Sequence, residues 1–231
     1  MKNILLVSNS ICQGRGYLEH CILAIKNIIG GNNEILFIPF ALKDWDKYEK
    51  IAKTKFEKEG IVLKSIHHEK DYKDAVKKAK VLFVGGGNTF RLLNMLQKQR
   101  LIKIIKSRVE SGKLIYIGVS AGSNIAGLTI KTTNDMPIVE VDNLSALALV
   151  NFQINPHYID PEKNPKHKIE TRDERINQFH EENNTPVIGL REGAYLIIKG
   201  GKIILDGSTG AKLFQKGKEP VELKGKCLLN F

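Results

Sequence analysis

The sequence predicts an α/β protein whose mostly parallel sheet is covered by helices on both faces. Along the first 120 residues, short runs rich in Val, Ile and Leu alternate with longer amphipathic stretches, which is the pattern of βαβ units. Within the short runs, apolar residues follow one another without polar interruption, as expected for strands buried on both faces. The last third changes to short apolar runs separated by Gly-containing turns, which predicts antiparallel strands at the end of the chain.

The parallel strands and their helices can be placed in order. Short apolar runs predict strands at Ile4–Val7, Ile35–Ile38, Gly60–Leu63, Val81–Val84 and Leu114–Ile117. Amphipathic stretches between them predict helices at about 17–29, 43–58, 70–79 and 89–110. The chain has no linker, repeat or low-complexity segment, so we expect one domain over residues 1–231.

The C-terminal third adds one helix and several short strands. A strand is expected over Val150–Ile154 and a helix over 171–182. Gly-rich turns at 200–201 and 206–207 separate apolar runs, which we interpret as antiparallel strands at the sheet edge. These strands are placed at Val187–Leu190, Ala194–Ile198, Lys202–Leu205 and Ala211–Phe214.

Composition indicates a soluble globular protein. The chain has 231 residues, of which 42% are hydrophobic and 26% charged, and this excludes disordered tails, collagen-like chains and disulfide-rich miniproteins. No apolar run reaches the roughly 18 residues of a membrane span, so we expect no membrane partner. The apolar start, Ile4–Val7, is too short for a signal peptide, and the three cysteines have no metal-ligand spacing. We therefore expect a cytoplasmic protein without a metal site.

The net charge of +11 raises the question of a nucleic-acid partner. The basic excess is spread over several segments, and many Lys residues alternate with Glu or Asp on helix-like stretches. This favours a solvated surface over a dedicated nucleic-acid face, and no RNA-binding aromatic pattern or zinc-finger spacing is present. We expect no nucleic-acid partner, while the oligomeric state stays open, a homodimer being one of the states allowed.

A Gly-x-Ser-x-Gly motif, Gly118 to Gly122, gives the strongest chemical signal. It follows a predicted buried strand and precedes a small-residue helix start, which is the context of a nucleophile on a sharp strand-to-helix turn. Ser120 is then the candidate nucleophile, and the helix amides point at a developing oxyanion. The alternative is a simple N-cap role for Ser120.

Three consecutive glycines, Gly85–Gly87, form a second loop after a strand and before a helix. This loop suits an oxyanion hole in which the Gly87 amide joins the Ala121 amide. A phosphate cradle is the alternative, although the Gly-Lys-Ser/Thr ending of a P-loop and the dinucleotide fingerprint are both missing. Either Asn88 or Thr89 can cap the helix that follows.

A serine nucleophile needs a base, and His157 is the best placed histidine. It follows an expected strand in a loop that Pro156 and Pro161 confine, although a structural loop histidine is an equally good reading of this evidence alone. His67 and His68 lie in a charged stretch and are expected to face solvent. His20 and His180 lie on helix-like stretches without a special local setting, and His167 is the sixth histidine available.

The acid that orients the base has two candidates. Glu192 ends a predicted strand, where sheets present functional groups, and Asp135 lies in the polar run 132–137. Either can instead be an ordinary turn acid. The order Ser120, His157, Glu192 differs from that of ordinary α/β-hydrolases, so the motif alone does not assign that fold.

Six motifs in the same order resemble those of the peptidase E family of α-aspartyl dipeptidases, to which the cyanophycinases are related. The resemblance covers nearly the whole chain. The motifs are Gly85–Phe90, Gly118–Asn124, Thr132–Pro137, Asn155–Tyr158, Glu170–Arg172 and Gly189–Gly193.

The resemblance implies a serine peptidase on a flavodoxin-like, class I glutamine-amidotransferase-like sheet that cuts small dipeptides with an N-terminal aspartate. Ser120 matches the family nucleophile and His157 the general base. Both Asp135 and Glu192 have been placed in the relay, and we favour Glu192 because its strand-end position can face the loop that carries His157. No metal or organic cofactor is implied.

The resemblance also assigns binding roles. Gly87 and Ala121 match the oxyanion amides, and Arg172 matches the group that reads the substrate's aspartate side chain, since a guanidinium fork binds a carboxylate bidentately. Two departures bear on the pocket. Val119 stands where a bulky aromatic residue is expected, and Lys168-Ile169 replaces a stretch richer in glycine.

Two other functions stay open at this stage. A cyanophycinase-like β-aspartyl peptidase would keep the same serine, histidine and acid with a different pocket. A non-catalytic module that binds an anionic ligand would use the glycine loop and the basic surface without hydrolysis.

Overall fold

A computed structural model of the chain describes residues 1–162 and 170–229. The helices are α1 (Ile22–Ile29), α2 (Trp45–Lys58), α3 (Tyr72–Lys78), α4 (Thr89–Lys98), α5 (Ile102–Glu110), α6 (Ala121–Asn124) and α7 (Arg172–Glu182). The strands are β1 (Asn3–Val7), β2 (Glu34–Ile38), β3 (Val62–Ser65), β4 (Val81–Val84), β5 (Ile115–Val119), β6 (Gln153–Tyr158), β7 (Val187–Arg191), β8 (Ala194–Lys199), β9 (Lys202–Gly207), β10 (Ala211–Phe214), β11 (Val221–Leu223) and β12 (Cys227–Leu229).

The main sheet has eight strands in the order β12-β9-β8-β1-β5-β4-β2-β3. Its five N-terminal strands pair in parallel, and β8, β9 and β12 add to it antiparallel. All four residues of β4 are buried, and so are the last four residues of β1 and β2, because helices cover both faces. Two separate apolar clusters lie on the two faces. The predicted α/β class with a mostly parallel sheet is confirmed.

The C-terminal strands divide between two sheets instead of all extending one edge. A second sheet has the order β11-β10-β7-β6, in which β6 and β7 pair in parallel and the other pairs are antiparallel. Helix α7 connects β6 to β7, and a capping box of Thr171 and Glu174 starts it. Consecutive strands β7 and β8 thus belong to different sheets, and their connecting turn lies where the sheets meet.

Several predicted element boundaries need correction. The helix expected from residue 17 begins at Ile22, and the strand expected at Gly60–Leu63 is Val62–Ser65. The single helix expected over 89–110 is two helices, because Arg100 takes a left-handed conformation with φ of 54°. The Leu101 amide then donates to the Leu96 carbonyl, which closes α4 and redirects the chain. The strand expected at Val150–Ile154 runs from Gln153 to Tyr158, so His157 lies within the strand and not in a loop after it.

An irregular segment from Ile125 to Phe152 connects the two sheets. Its apolar side chains Ile130, Leu147 and Leu149 are buried in the main core, which fixes the polar run around Asp135 near the start of α4. Among the helices in the described ranges, none combines the length and apolar character needed to cross a bilayer.

Candidate active site

Ser120 occupies a strained turn between β5 and α6. Its φ of 53° and ψ of −110° lie outside the regions that non-glycine residues prefer, a cost of about 1–3 kcal/mol that surrounding contacts must offset. A Cβ on Gly118 would lie 2.3 Å from the Gly122 carbonyl oxygen, and one on Gly122 would lie 2.2 Å from the Val84 carbonyl oxygen. Glycine is therefore required on both sides of the turn.

The end of β1 holds this turn in place. The Ser120 amide donates to the Val7 carbonyl at 2.9 Å. The buried Ser123 hydroxyl lies 2.7 Å from the same carbonyl and 2.8 Å from that of Gly118. The turn is thus bonded both to its own strand β5 and to the neighbouring strand β1.

His157 is presented by a bulge in β6. The register of β6 against β7 shifts between Pro156 and Tyr158, and His157 itself has a φ of 53°. Bulges re-aim a side chain out of the regular alternation of a strand. The His157 amide donates to the Ser8 hydroxyl at 2.9 Å, and that hydroxyl donates to the Leu190 carbonyl at 2.7 Å.

Ser120, His157 and Glu192 form one continuous hydrogen-bonded chain. The Ser120 Oγ lies 2.8 Å from His157 Nε2, and His157 Nδ1 lies 2.6 Å from Glu192 Oε1. The side chains of His157 and Glu192 are 40% and 55% exposed, so solvent reaches this hydrogen-bonded series of side chains at Glu192. The arrangement can move a proton from the hydroxyl to the imidazole while the carboxylate orients the ring.

Glu192 lies in the turn between β7 and β8, where the two sheets meet. The next residue, Gly193, has a φ of 87°, and its amide donates to Asn9 Oδ1 at 2.8 Å. The Thr209 hydroxyl donates to the Glu192 carbonyl at 2.6 Å. These bonds fix the backbone of the turn and leave the carboxylate free to reach His157.

Asp135, the other acid considered, has different partners. Its Oδ2 accepts from the Thr89 amide at 2.8 Å and from the Thr89 hydroxyl at 2.6 Å, and it also lies 3.2 Å from the Thr133 hydroxyl. Thr89 is the first residue of α4, where a carboxylate is favoured by the helix dipole. The structure thus brings Glu192 to His157 and Asp135 to the helix that follows the glycine loop.

The glycine loop lies beside Ser120. A Cβ on Gly86 would be 3.0 Å from the Ser120 Cβ, and the Gly86 amide donates to the buried Tyr48 hydroxyl at 2.8 Å. Gly87 has a φ of 133°, and a Cβ there would lie 2.6 Å from the Ala41 carbonyl oxygen. Over residues 1–162 and 170–229, no acceptor is found for the amides of Gly87 and Ala121, so both are available to a bound oxygen.

Arg172 is the first residue of α7 and is only partly exposed. Burial lowers the pKa of its guanidinium, as does the nearby Arg175, while Asp135 and Glu170 act in the opposite direction. No hydrogen bond or salt bridge to Arg172 is found in the described part of the chain. The charge of Asp135 acts on Arg172, and Asp135 itself bonds Thr89 at the start of the helix that follows the glycine loop.

Sequence reasoning missed three residues that support this site. Ser8, Asn9 and Tyr48 are all buried, and they bond the backbones of the histidine strand, the Glu192 turn and the glycine loop. The polar pair Ser8-Asn9 directly after an apolar strand was the available signal, because buried strand ends present functional groups. Nothing in the local sequence singles out Tyr48.

None of the other histidines in the described ranges is hydrogen-bonded to Ser120 or Glu192, although the charge of Glu192 acts on His20. His180 is buried on α7 and bonds the Thr185 carbonyl. His20 has a buried ring whose nitrogens lack partners among the described residues, and burial lowers its pKa. His67, expected to face solvent, has an 8% exposed side chain. His167 and the departure Lys168-Ile169 lie outside the described residues.

Comparison with known proteins points to one family. The model of peptidase family S51 matches residues 4–205. Peptidase E of Streptomyces coelicolor is 44% identical over 221 residues, covering 96% of this chain and 90% of that protein. A probable alpha-aspartyl dipeptidase of Drosophila melanogaster is 42% identical over 232 residues, covering 100% and 97%.

Solved structures agree with these sequence relations. The crystal structure of a candidate peptidase E protein from Listeria monocytogenes has a TM-score of 0.65 at 25% identity and covers 90% of this chain and 100% of that one. A peptidase from an acI-B1 Actinobacterium shares the fold, with a TM-score of 0.71 at 18% identity over 100% and 97% of the two chains. On the extent of the family match and the identity of these relatives, the chain belongs to peptidase family S51.

Proposed function

We propose that this protein is a serine dipeptidase that hydrolyses dipeptides with an N-terminal aspartate. One observation carries the proposal: a serine hydroxyl on a strained strand-to-helix turn lies 2.8 Å from an imidazole, which lies 2.6 Å from a carboxylate. The names of the relatives, peptidase E and alpha-aspartyl dipeptidase, support the substrate class.

In the proposed reaction, His157 removes the proton of Ser120 as the hydroxyl attacks the scissile carbonyl. Glu192 holds the imidazole so that Nε2 faces the serine and stabilises the imidazolium that forms. His157 then returns the proton to the leaving amine. Water activated by the same base releases aspartate and frees Ser120.

The amides of Gly87 and Ala121 bind the oxyanion of the tetrahedral intermediate. Support comes from their lack of an acceptor in the described ranges and from the closeness of the glycine loop to Ser120. Each such donor is worth about 3–4 kcal/mol in the transition state. The Tyr48 hydroxyl holds the glycine loop in position by accepting a hydrogen bond from the Gly86 amide.

Arg172 binds the side-chain carboxylate of the substrate aspartate. Its guanidinium is partly buried at the start of α7, and a desolvated guanidinium gains from a bidentate carboxylate partner. Asp135 is a positioning residue, because it ties the polar segment before it to the first turn of α4.

The proposal includes the wider setting of the enzyme. A single domain over residues 1–231 is supported by β1 pairing both with β5 and with the distant β8. A cytoplasmic location is supported by three free cysteines, since a reducing compartment keeps thiols unpaired. The partner is a small acidic dipeptide, with no nucleic acid or membrane, and a homodimer is compatible with this function.

The test is hydrolysis of Asp-Leu, β-Asp-Leu, Glu-Leu and Ala-Leu by the wild type, by Ser120→Ala and by Ser111→Ala. Ser111 is an exposed serine at the end of α5, so its variant controls for a general loss of serine. We expect cleavage of Asp-Leu, a loss of more than about 1000-fold in Ser120→Ala, and wild-type rates in Ser111→Ala.

Other results would change the assignment in defined ways. Preference for β-Asp-Leu would keep the serine mechanism and move the protein to a β-aspartyl specificity. Absence of cleavage by a folded wild type would overturn the dipeptidase assignment and favour a binding module for an anionic ligand, whose affinity would fall steeply with salt.

A further inference from the structure

A second group of histidines and acids lies at the β3 edge of the main sheet, where the turn after β3 meets the start of α2. We call it the α2–β3 cluster, and it consists of Asp46, Glu49, His67 and His68. Each residue offers one ligand atom, and the four atoms lie within 4.8 Å of one another. No part of the proposed peptidase reaction uses these residues.

The distances within the α2–β3 cluster are close to those of a metal site. His68 Nε2 lies 2.6 Å from Glu49 Oε2, and His67 Nε2 lies 3.0 Å from Asp46 Oδ1 and 3.7 Å from Glu49 Oε2. Tetrahedral zinc with bonds of about 2.0 Å places its donor atoms about 3.3 Å apart. Small side-chain adjustments are therefore enough to surround one ion.

His67 is already oriented for this role. Its side chain is 8% exposed, and its Nδ1 lies 2.7 Å from the hydroxyl of buried Ser65. A hydroxyl can donate to a ring nitrogen or accept from it, so Ser65 satisfies Nδ1 in either tautomer. When Nδ1–H donates to Ser65, the Nε2 lone pair is free and faces the carboxylates, which is how metal-binding histidines are held.

The donor set selects the class of ion. Two imidazole nitrogens with two carboxylate oxygens suit zinc and similar transition metals, whereas magnesium and calcium prefer oxygen ligands alone. The charges also balance, because two carboxylates offset the charge of a divalent cation while neutral imidazoles add none. In the absence of metal, the same carboxylates serve as hydrogen-bond partners of the two rings.

We propose that the α2–β3 cluster binds one divalent transition-metal ion of the zinc type through His67, His68, Glu49 and Asp46. The spacing in the sequence hides this site, because the paired residues are 21 and 19 positions apart and come together only when β3 packs on α2. The proposed peptidase reaction uses none of these four residues, although Glu49 directly follows Tyr48, whose hydroxyl accepts from the Gly86 amide.

The chain's single tryptophan provides a direct probe. The ring centroids of Trp45 and His67 are 5.8 Å apart, so a paramagnetic ion in the cluster lies close enough to quench tryptophan emission. We expect Co²⁺ to quench Trp45 emission with a stoichiometry of one per chain, and Zn²⁺ to reverse the quenching by competition. Magnesium should leave the emission unchanged.

Variants locate the ion. His68→Ala removes a ligand whose side chain is 57% exposed, and Glu49→Gln is nearly isosteric, so both should fold. We expect each to weaken Co²⁺ binding at least 10-fold, and Ser65→Ala to weaken it about 10–100-fold by releasing the His67 ring. Glu57→Gln, on an exposed position of the same helix, is the matched control and should bind like the wild type.

Two results would overturn the proposal. One is the absence of saturable quenching in the folded wild type. The other is quenching whose midpoint is the same in His68→Ala, Glu49→Gln and the wild type, which would place the ion elsewhere, for example at His157. Circular dichroism of each variant, recorded without metal, separates loss of a ligand from loss of the fold.

Discussion

The two halves of the candidate site are held by different kinds of contact. Ser120 is held by close packing of backbone, where Gly118 and Gly122 leave no room for a single added carbon. On the side of His157 and Glu192, backbone amides donate to buried side chains: the His157 amide donates to the Ser8 hydroxyl, and the Gly193 amide donates to Asn9 Oδ1. We therefore expect substitutions in the serine turn to cause a large loss of stability and activity. Substitutions on the histidine side should cause smaller, graded losses.

Three consecutive residues connect the two halves. The Val7 carbonyl accepts from the serine turn, Ser8 bonds the His157 amide, and Asn9 bonds the turn that carries Glu192. The end of β1 therefore sets the relative position of hydroxyl, imidazole and carboxylate, although none of its own side chains belongs to that hydrogen-bonded chain.

The largest effect is expected on the serine side, from Gly122→Ala. The new Cβ would meet the Val84 carbonyl oxygen at 2.2 Å, and backbone atoms of a central strand cannot move away. We expect a loss of about 3 kcal/mol in the free energy of unfolding, a fall of about 6–12 °C in Tm, and a loss of more than about 100-fold in kcat/KM.

The matched control is Gly31→Ala, where an added Cβ meets nothing within 4 Å. Thermal unfolding and Asp-Leu hydrolysis of both variants make the comparison. A Gly122→Ala protein as stable and active as Gly31→Ala would show that the serine turn is not held by close packing.

On the histidine side, Glu192→Gln should have the next largest effect. The neutral amide cannot stabilise an imidazolium, so we expect kcat on Asp-Leu to fall by about 100-fold. This is the lower end of the range for general acid–base catalysis, because Glu192 is exposed to solvent. Asp135→Asn keeps an oxygen for the Thr89 amide, so its fall in kcat should stay below about 10-fold. If Asp135→Asn is the more damaging change, Asp135 and not Glu192 is the acid of the relay.

Ser8→Ala tests the hydrogen bonds that hold the histidine strand. It leaves the His157 amide and the Leu190 carbonyl without the buried hydroxyl that bridges them. We expect a loss of about 1–3 kcal/mol in the free energy of unfolding and about a 10-fold lower kcat. Ser10→Ala, two residues further on and only partly buried, serves as the control, and equal behaviour of the two variants would contradict the role given to Ser8.

The smallest effect concerns an ion pair next to Glu192. The hydrogen bond from Arg191 lowers the pKa of Asp160, so the pair stabilises the folded state above the unfolded carboxyl pKa of about 3.9 and loses this effect as the pH falls through the lower folded pKa. Because Asp160 is half-exposed, Asp160→Asn should cost less than about 1 kcal/mol near neutral pH.

Urea unfolding of this variant and the wild type, at neutral pH and at about pH 2, measures the difference. We expect the two proteins to converge at low pH and to hydrolyse Asp-Leu at similar rates. A stability difference that persists in acid would mean that Asp160 acts through packing and not through its charge.

Local features of the fold could be predicted from the sequence. The buried strands β1, β2 and β4 appear as uninterrupted apolar runs, and the strand-to-helix context of Ser120 is contained within residues 115–124. Each of these depends on neighbours in the chain, which is why pattern and spacing were sufficient for them.

Long-range pairing could not be predicted in the same way. His157 was expected in a loop, yet β6 continues through it, because pairing with β7 is what defines the strand and its bulge. The turn at Arg100 breaks an amphipathic pattern that itself continues without interruption. The choice between Glu192 and Asp135 also depends on how the second sheet sits against the first, and the α2–β3 cluster depends on the packing of a helix on an edge strand.

The pairing of β1 with β8 has a consequence for synthesis of the protein. Asn3 lies opposite Lys199, so β1 can pair with β8 only after most of the chain has been synthesised. Contacts of such long sequence separation form late in folding. The turn between β7 and β8, which carries Glu192, is completed only with that arrival. In a nascent chain, the serine turn can therefore form before His157 and Glu192 are aligned with it. Any hydrolytic activity begins only after β8 has been translated.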